Sequence, residues 1–549
     1  MIPRSETIAD RLNYLLPGVV SSGKIPRWPP DVFCLCASLL QSSGGYLTVV
    51  EDKPPHLRGK TSDQRWREIE SLGKKWRGVT SNTSTIPPQL QRLWKTILSS
   101  SHRPIDAILR LRPCCAALVD LLAAADEASV GVGIGISGPF MRSSWRHLAP
   151  DTFLEDAEEC LLPQELGSTL CLNIDPSRGR VLPKMHTPQN GLTIRSLSHN
   201  LAFCPSSDIT PLWFSVGSDT RHHALNLLVV PWPELIEPSQ FRESRQVQLT
   251  DEVKRGGYGL FTYDAGRGPT SHFVTRLIKE ATRKVGQIDG LILPELAMSR
   301  SDYTRLARAV VTPRRFMISG VGEKARNALS CGTNEVMMDV RNPESPLQFR
   351  LTQKKHHRWK LNKSQIIQYG IGSNLHPEAS WWEHISLKDR TLAFVTIRPW
   401  LTFAVLVCED LARPDPVGDL LRAVGPNFVV ALLMDGPQLT SRWPGRYAGA
   451  LADDPGCSVL TLTSAGMSGL SQPVSGGPNR SRVIALWRDP QTGVRELELP
   501  AKASALVLNV TVEYGEEWTA DGRGDGRVSG YPILAGYHPI SIDKRDGGS

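Results

Sequence analysis

Apolar positions between residues 31 and 127 recur at helical spacing: Val32, Phe33, Leu35, Cys36, Leu39 and Leu40 fall at i, i+3, i+4 and i+7 intervals, and 105–125 repeats the pattern. The spacing predicts a mixed, largely helical region over 1–128. Between 129 and 221 the pattern breaks into short apolar runs cut by Gly, Pro and Ser, among them Gly131-Val-Gly-Ile-Gly-Ile136 and Leu192-Thr-Ile-Arg-Ser-Leu197, which predict a β-leaning connector. From 222 onward, strand-like apolar runs alternate with amphipathic stretches. Strands are predicted at 224–230, 290–293, 316–320, 334–340, 391–396, 401–408, 428–434, 458–463, 483–487 and 505–510, with helices at 271–284 and 301–311. This alternation predicts a layered α/β domain over 222–540, with 519–530 as a loop and 541–549 as a tail.

Composition narrows the class. The chain has 549 residues, 40% of them apolar, and 63 Lys+Arg against 55 Asp+Glu, which excludes a disordered or fibrous chain. A net charge of +8 spread over this length nominates no polyanion partner by itself. The ten cysteines include no C-x-x-C pair, so neither a zinc ribbon nor a redox motif is predicted. The opening Met-Ile-Pro-Arg-Ser-Glu-Thr lacks the order of a secretory signal, and no run approaches the length of a membrane span. The expectation is a soluble cytoplasmic protein with reduced thiols.

Two motifs carry no function on this reading. Gly131, Gly133 and Gly135 form G-x-G-x-G without the third glycine of a dinucleotide loop. The acidic cluster Asp151, Glu155, Asp156, Glu158 and Glu159 has the spacing of a solvated helix face.

Three predicted strand ends hold reactive side chains. Leu291-Ile-Leu-Pro-Glu295 leads an apolar strand into a carboxylate, and Gln353-Lys-Lys-His-His-Arg-Trp-Lys360 gathers cations after a strand-like stretch. Phe403-Ala-Val-Leu-Val-Cys408 delivers a cysteine into the turn Glu409-Asp-Leu-Ala-Arg413. A thiol at a strand-to-helix turn can have its thiolate stabilised by backbone N–H groups and a nearby ammonium. A carboxylate to take the proton, a sulfur to attack and an ammonium to hold the oxyanion form a complete set for acyl transfer. Taken singly, each has a plainer reading as packing, turn or basic loop.

In their order along the chain these residues resemble the nitrilase (carbon–nitrogen hydrolase) superfamily over roughly 222–515. Leu291-Ile-Leu-Pro-Glu295 is similar to its strand-Pro-Glu, Lys355-His-His357 to its Lys-x-His, and Val405-Leu-Val-Cys-Glu-Asp-Leu411 to its Cys-Glu-Asp variant. The resemblance implies an α/β fold, a nitrilase-like αββα sandwich. It also implies a Glu295 general base, a Lys355 cation, a Cys408 nucleophile passing through a thioester, and an oxyanion contact from the Glu409 amide. His357 and Trp443 are further substrate-contact candidates. Lys354-x-His356 fits the lysine pattern as well as Lys355-x-His357, with Lys355 favoured. The family often has another Glu several residues after the lysine, whereas here Lys363, Gln365 and Gln368 precede Glu378 and Glu383. Trp359, Trp381, Trp382 and Trp443 are read as packing before pocket.

The implied activity is hydrolysis of small amides, in preference to nitriles, by a homo-oligomer needing no metal or organic cofactor. A second class open to the same residues is a nitrilase-fold binding module without turnover. Such modules include accessory proteins beside the reverse transcriptases of bacterial phage defence; no Tyr-x-Asp-Asp polymerase signature occurs here. Nucleic-acid binding through Lys354–Lys363 is the least favoured reading.

Overall fold

A computed structural model of the chain describes residues 6–77, 85–132, 164–165, 168–205, 208–215, 223–244, 257–324, 331–341, 348–398, 400–471, 481–526 and 528–542. The acidic cluster at 151–159 and Gly133 and Gly135 lie outside them. Among the described residues two large sheets stack face to face. One has seven strands, ordered Gln348–Lys354, Thr333–Arg341, Phe316–Glu323, Gly290–Met298, Ala224–Val229, Ala505–Gly515 and Ser529–Ile540. The other has eight, ordered Gln164–Glu165, Thr210–Ser215, Thr391–Arg398, Leu401–Val407, Phe428–Leu433, Ser458–Thr463, Val483–Asp489 and Gly493–Glu498.

The layering follows from strand periodicity. Side chains alternate faces along a strand, so Leu227 and Val229 enter the core between the sheets while Leu228 and Val230 face the outer helices. Those helices, Ser271–Val285 and Arg300–Val310, answer with Val274, Leu277, Ile278 and Ala281 on one face and Tyr303, Leu306, Ala307 and Val310 on the other. Gly418–Val424 and Trp443–Asp453 cover the opposite sheet through Leu420, Leu421, Ala448 and Leu451. The result is the αββα layering that the resemblance implies.

Several expectations change. The strand Thr210–Ser215 pairs parallel with Thr391–Arg398, so the sandwich draws a strand from the 129–221 connector. Ser529–Ile540, which no strand prediction covered, is a strand paired along Ala505–Gly515; it lies at a sheet edge, where the missing N–H of Pro532 and Pro539 is tolerated. The stretch 105–125 is not one helix: Ile105–Leu109 is a 3-10 turn, and Pro113 opens a new helix, Arg112–Ala128. The Leu192–Leu197 run is mostly a 3-10 turn, Ile194–Leu197, whose Ser196 hydroxyl accepts the Thr193 N–H at 3.3 Å.

In the N-terminal region, helices Pro29–Ser43, Ser62–Arg77, Pro88–Ser99 and Arg112–Ala128 share a core that includes Phe33, Leu39, Trp76, Trp94 and Leu118. Buried ion pairs fasten it to the loop before the last strand. Arg523 bonds Asp126 at 3.2 Å and Glu127 at 2.8 Å, while Asp521 receives Arg65 at 2.7 Å. Among the described residues no helix is long and apolar enough to cross a membrane.

Candidate active site

Strand Leu401–Val407 is buried at every position, apolar at all but Thr402, and ends where Cys408 opens a short 3-10 turn, Cys408–Leu411. Cys408 has φ 46°, a left-handed conformation that costs a non-glycine residue about 1–3 kcal/mol and tends to mark functional turns. The turn points its thiol, 2% exposed, at the carboxyl ends of the parallel strands, where α/β sheets gather reactive groups. The backbone N–H of Met434, just beyond the neighbouring strand Phe428–Leu433, donates toward the sulfur.

Glu295 arrives by a different device. The strand Gly290–Met298 continues past the predicted end at 293, but its register with Phe316–Glu323 shifts between Leu293 and Met298. Leu296 in that bulge has φ 52°. Bulges re-aim side chains beside active sites. Gly320 on the adjacent strand makes room: a Cβ there would lie 2.4 Å from the Glu295 Cα and 2.6 Å from the Leu296 nitrogen. Glu295 is therefore held by backbone packed against a position that only glycine can fill.

Lys355 follows the edge strand Gln348–Lys354 and is 1% exposed. Its ammonium donates to Glu295 Oε1 at 2.8 Å and to Glu383 Oε2 at 2.7 Å. Asn334 Nδ2 bridges the same two carboxylates, 2.7 Å from each. Lys354 instead pairs with the exposed Asp389, so of the two lysines it is Lys355 that lies beside Glu295. Glu383 is the member that sequence reasoning missed as a partner. It sits at the end of Ser380–Glu383, in a separate four-stranded sheet with Lys360–Leu361, Tyr258–Tyr263 and Phe241–Glu243, and also accepts from the Trp359 amide. Its 28-residue separation from Lys355 left no local signal.

The cluster has a definite electrostatic balance. Burial disfavours the Lys355 ammonium, yet Glu295 and Glu383 outweigh it and hold its pKa well above the ordinary lysine value. Burial raises the Glu295 pKa, and Lys355 recovers only part of the rise because Glu383 adds repulsion. Burial and the Glu295 charge push the Cys408 thiol well above its usual value, against the pull of Lys355. Burial thus favours the neutral thiol over the stabilised thiolate expected at such a turn. The arrangement suits a neutral thiol that gives up its proton during attack. Glu295 Oε2, buried and without a hydrogen-bond partner, is the oxygen left free to take it.

Asp410 locks two pieces together. Its carboxylate accepts the backbone N–H groups of His356 (3.1 Å) and His357 (3.0 Å). Gln353 bridges the sheets just upstream, donating to the Val405 carbonyl at 2.8 Å and accepting from the Ala393 amide at 3.0 Å. Beyond Met434, Asp435 is held by Tyr369 (2.6 Å) and Arg442 (2.7 Å) through Oδ1, while its Oδ2 and the Gln438 Oε1 are buried acceptors without partners.

The structure thus gathers Glu295, Lys355 and Cys408, adds Glu383 and Asn334, and engages the other candidates elsewhere. The His357 ring bonds the Asp415 carbonyl at 2.6 Å. Trp443 lies edge-on to Tyr447 at the start of its helix. The Glu409 carboxylate pairs with Arg413. Trp359 packs in an aromatic cluster with Phe241, Phe261 and Tyr369, and Trp381 lies against Gly259.

No family model matches the chain, and no curated protein matches its sequence. Among solved structures it is similar to Saccharomyces cerevisiae Nit3, a member of branch 10 of the nitrilase superfamily, at 10% identity over 52% of this chain and 87% of that one, with a TM-score of 0.29. It is similar to the C. elegans NitFhit protein at 12% identity over 52% and 60% of the two chains, TM-score 0.25. An N-terminal amidase matches at 12% identity over 42% of this chain and 53% of its own length, TM-score 0.19, so the chain spans about half of that protein. These structural neighbours are nitrilase-superfamily members.

Proposed function

We propose that the chain is a carbon–nitrogen hydrolase that cleaves small non-peptide amides through a thioester on Cys408. The observation that carries this reading is the buried Glu295–Lys355–Glu383 cluster set against a left-handed cysteine at a strand-to-helix turn. Leaving an ammonium and two carboxylates buried together is a poor route to stability, because desolvation offsets much of their attraction. Their joint burial beside a thiol has a ready explanation in catalysis.

In this mechanism Glu295 takes the Cys408 proton as the sulfur attacks the carbonyl carbon. The Lys355 ammonium and the Glu409 amide hold the oxyanion of the tetrahedral intermediate. The carbon–nitrogen bond breaks as Glu295 returns the proton to the leaving amine. Water then gives a proton to Glu295, attacks the thioester, and the acid leaves while the thiol is restored. Glu383 and Asn334 act as positioning residues that fix Lys355 and Glu295.

Amides are favoured over nitriles for a specific reason. Asp435 Oδ2 and Gln438 Oε1 are unfilled buried acceptors on the segment whose Met434 amide points at the thiol, and they suit a substrate bearing N–H donors, which an amide has and a nitrile group lacks. We also read the protein as a homo-oligomer, from the resemblance; light scattering that gives a strict monomer refutes this.

The experiment is ammonia release from a panel of primary amides and nitriles. Amide turnover that vanishes in Cys408→Ala and falls on the order of hundredfold or more in Glu295→Gln supports the reading. Turnover at wild-type level in either variant overturns it.

A further inference from the structure

A second site lies in the N-terminal helical region, in a cleft of about 1420 Å³ bounded by the 52–60 loop, the helices Ser62–Arg77 and Pro88–Ser99, and the start of Arg112–Ala128. Among the described residues lining it, eight are Lys or Arg and three are Asp or Glu. The acids are largely committed: Asp120 pairs with Arg65 and Arg58, and Glu68 with Lys60. Lys53, Arg67, Lys75 and Arg92 line the same cleft with no carboxylate partner among the described residues. Four uncompensated cations around one concavity repel each other, and an anion between them relieves that repulsion.

Two buried side chains sharpen the case. Arg65 is 2% exposed and lines the cleft; its Nε and Nη1 are bonded to Asp120 and Asp521, but its Nη2 has no partner. His56 is 4% exposed, also lines the cleft, and its Nδ1 has no partner. Burial and the Arg65 charge push the His56 pKa down to about 4, so the ring is neutral at pH 7 and able to donate one N–H. Native structures rarely leave buried donors unsatisfied unless a ligand or water completes them.

We propose that this cleft binds a small phosphorylated molecule, its phosphate received by Arg65 Nη2 and His56 Nδ1 and its remaining charge met by the rim cations Arg67, Lys75 and Arg92. A guanidinium edge is a favoured partner for phosphate oxygens. Among the described residues the lining contains no Trp, Tyr or Phe on which nucleobases would stack, whereas Pro54, Leu57, Ile69 and Leu93 supply an apolar wall for a compact organic body. The cleft is at or above the usual size for small-molecule sites, so a ligand larger than free phosphate fits.

The test is isothermal titration of the full chain at physiological salt with tripolyphosphate, glucose 6-phosphate, AMP and a single-stranded DNA of about 16 nucleotides, the upper end of the site size of a strand-binding groove. Binding of at least one small phosphate with Kd below about 100 μM is expected. Arg65→Ala should weaken it by about tenfold or more. Because Arg65 also anchors Asp521, the exposed pair Arg67→Glu with Arg92→Glu serves as the second variant, with circular dichroism and melting to verify the fold, and should weaken binding by a similar factor. The proposal is overturned if no small phosphate binds, if binding is unchanged in the folded double variant, or if the DNA binds while the three small phosphates do not.

Discussion

Asp410, two residues beyond the cysteine, accepts the backbone N–H of His356 at 3.1 Å, so the turn that presents the thiol also holds the loop that presents Lys355. The loop and the turn arrive on strands from different sheets, and this carboxylate fixes one against the other. Asp410→Asn keeps one acceptor oxygen and loses the charge. The expected outcome is a fall in kcat of roughly ten- to hundredfold with KM little changed, since misplacement of the cation is felt in the transition state. Steady-state kinetics with a primary amide checks it, and wild-type kcat would place the Asp410 contacts outside catalysis.

Glu383 sets the acid side of the rate profile. Glu295 must be ionised to accept the thiol proton, and its pKa lies above the ordinary glutamate value. The acid limb of kcat/KM is therefore expected above about pH 4.3. Glu383→Gln removes a charge that raises the Glu295 pKa, so the limb should move to lower pH even as the plateau drops. A limb that stays in place or moves up contradicts this arrangement.

The bulge that aims Glu295 depends on Gly320. An alanine Cβ would press on the Glu295 Cα at 2.4 Å and on the Leu296 nitrogen at 2.6 Å, and backbone does not yield as a flexible side chain does. Gly320→Ala should cost about 1–3 kcal/mol of stability, as overpacking does, with a larger proportional loss of turnover. Denaturant unfolding and turnover measured on the same preparation check the two effects.

Much of the site and its frame was legible in sequence because the decisive segments are local. The stretch 403–407 is apolar throughout and runs directly into Cys408, and Gly290–Leu293 runs into Pro294-Glu295 in the same way. The helix Ser271–Val285 announces itself by Val274, Leu277, Ile278 and Ala281. What escaped depends on contacts distant along the chain. Glu383 and Asn334 reach the site from a short strand and from a strand interior, with no neighbouring motif. Ser529–Ile540 hides behind two prolines, and Thr210–Ser215 behind Pro211, because strand pairing supplies what their local sequence lacks. The turn's sequence also says nothing about how deeply the sulfur is buried, and that burial pushes the Cys408 thiol up.

The buried Asp521 ties the loop before the last strand to the N-terminal helices. Burial opposes its charge, but Arg523 and Arg65 together hold its pKa well below the usual aspartate value. A carboxylate depressed in the folded state contributes stability that is present above the unfolded pKa of about 3.9 and is lost as pH falls below it. Asp521→Asn is expected to lower stability at pH 7 by about 3–5 kcal/mol, the usual loss when one partner of a buried ion pair is removed. It should also flatten the decline below about pH 4. Melting curves from pH 3 to pH 7 read both, and an unchanged acid slope would refute the assignment.

The central claim concerns a covalent bond at one sulfur, and trapping that bond tests it most directly. The protein is mixed with an activated acyl ester, quenched in acid within seconds and digested, and the adduct is located by mass spectrometry in wild type, Glu295→Gln and Cys408→Ser. Cys331 is the exposed thiol among the described cysteines and serves as the internal control for unassisted reaction. The account predicts a thioester on Cys408 that forms faster than labelling of Cys331 despite burial, slows on the order of hundredfold in Glu295→Gln, and is absent from Cys408→Ser. Acylation confined to Cys331, with Cys408 unmodified in the wild type, would contradict it.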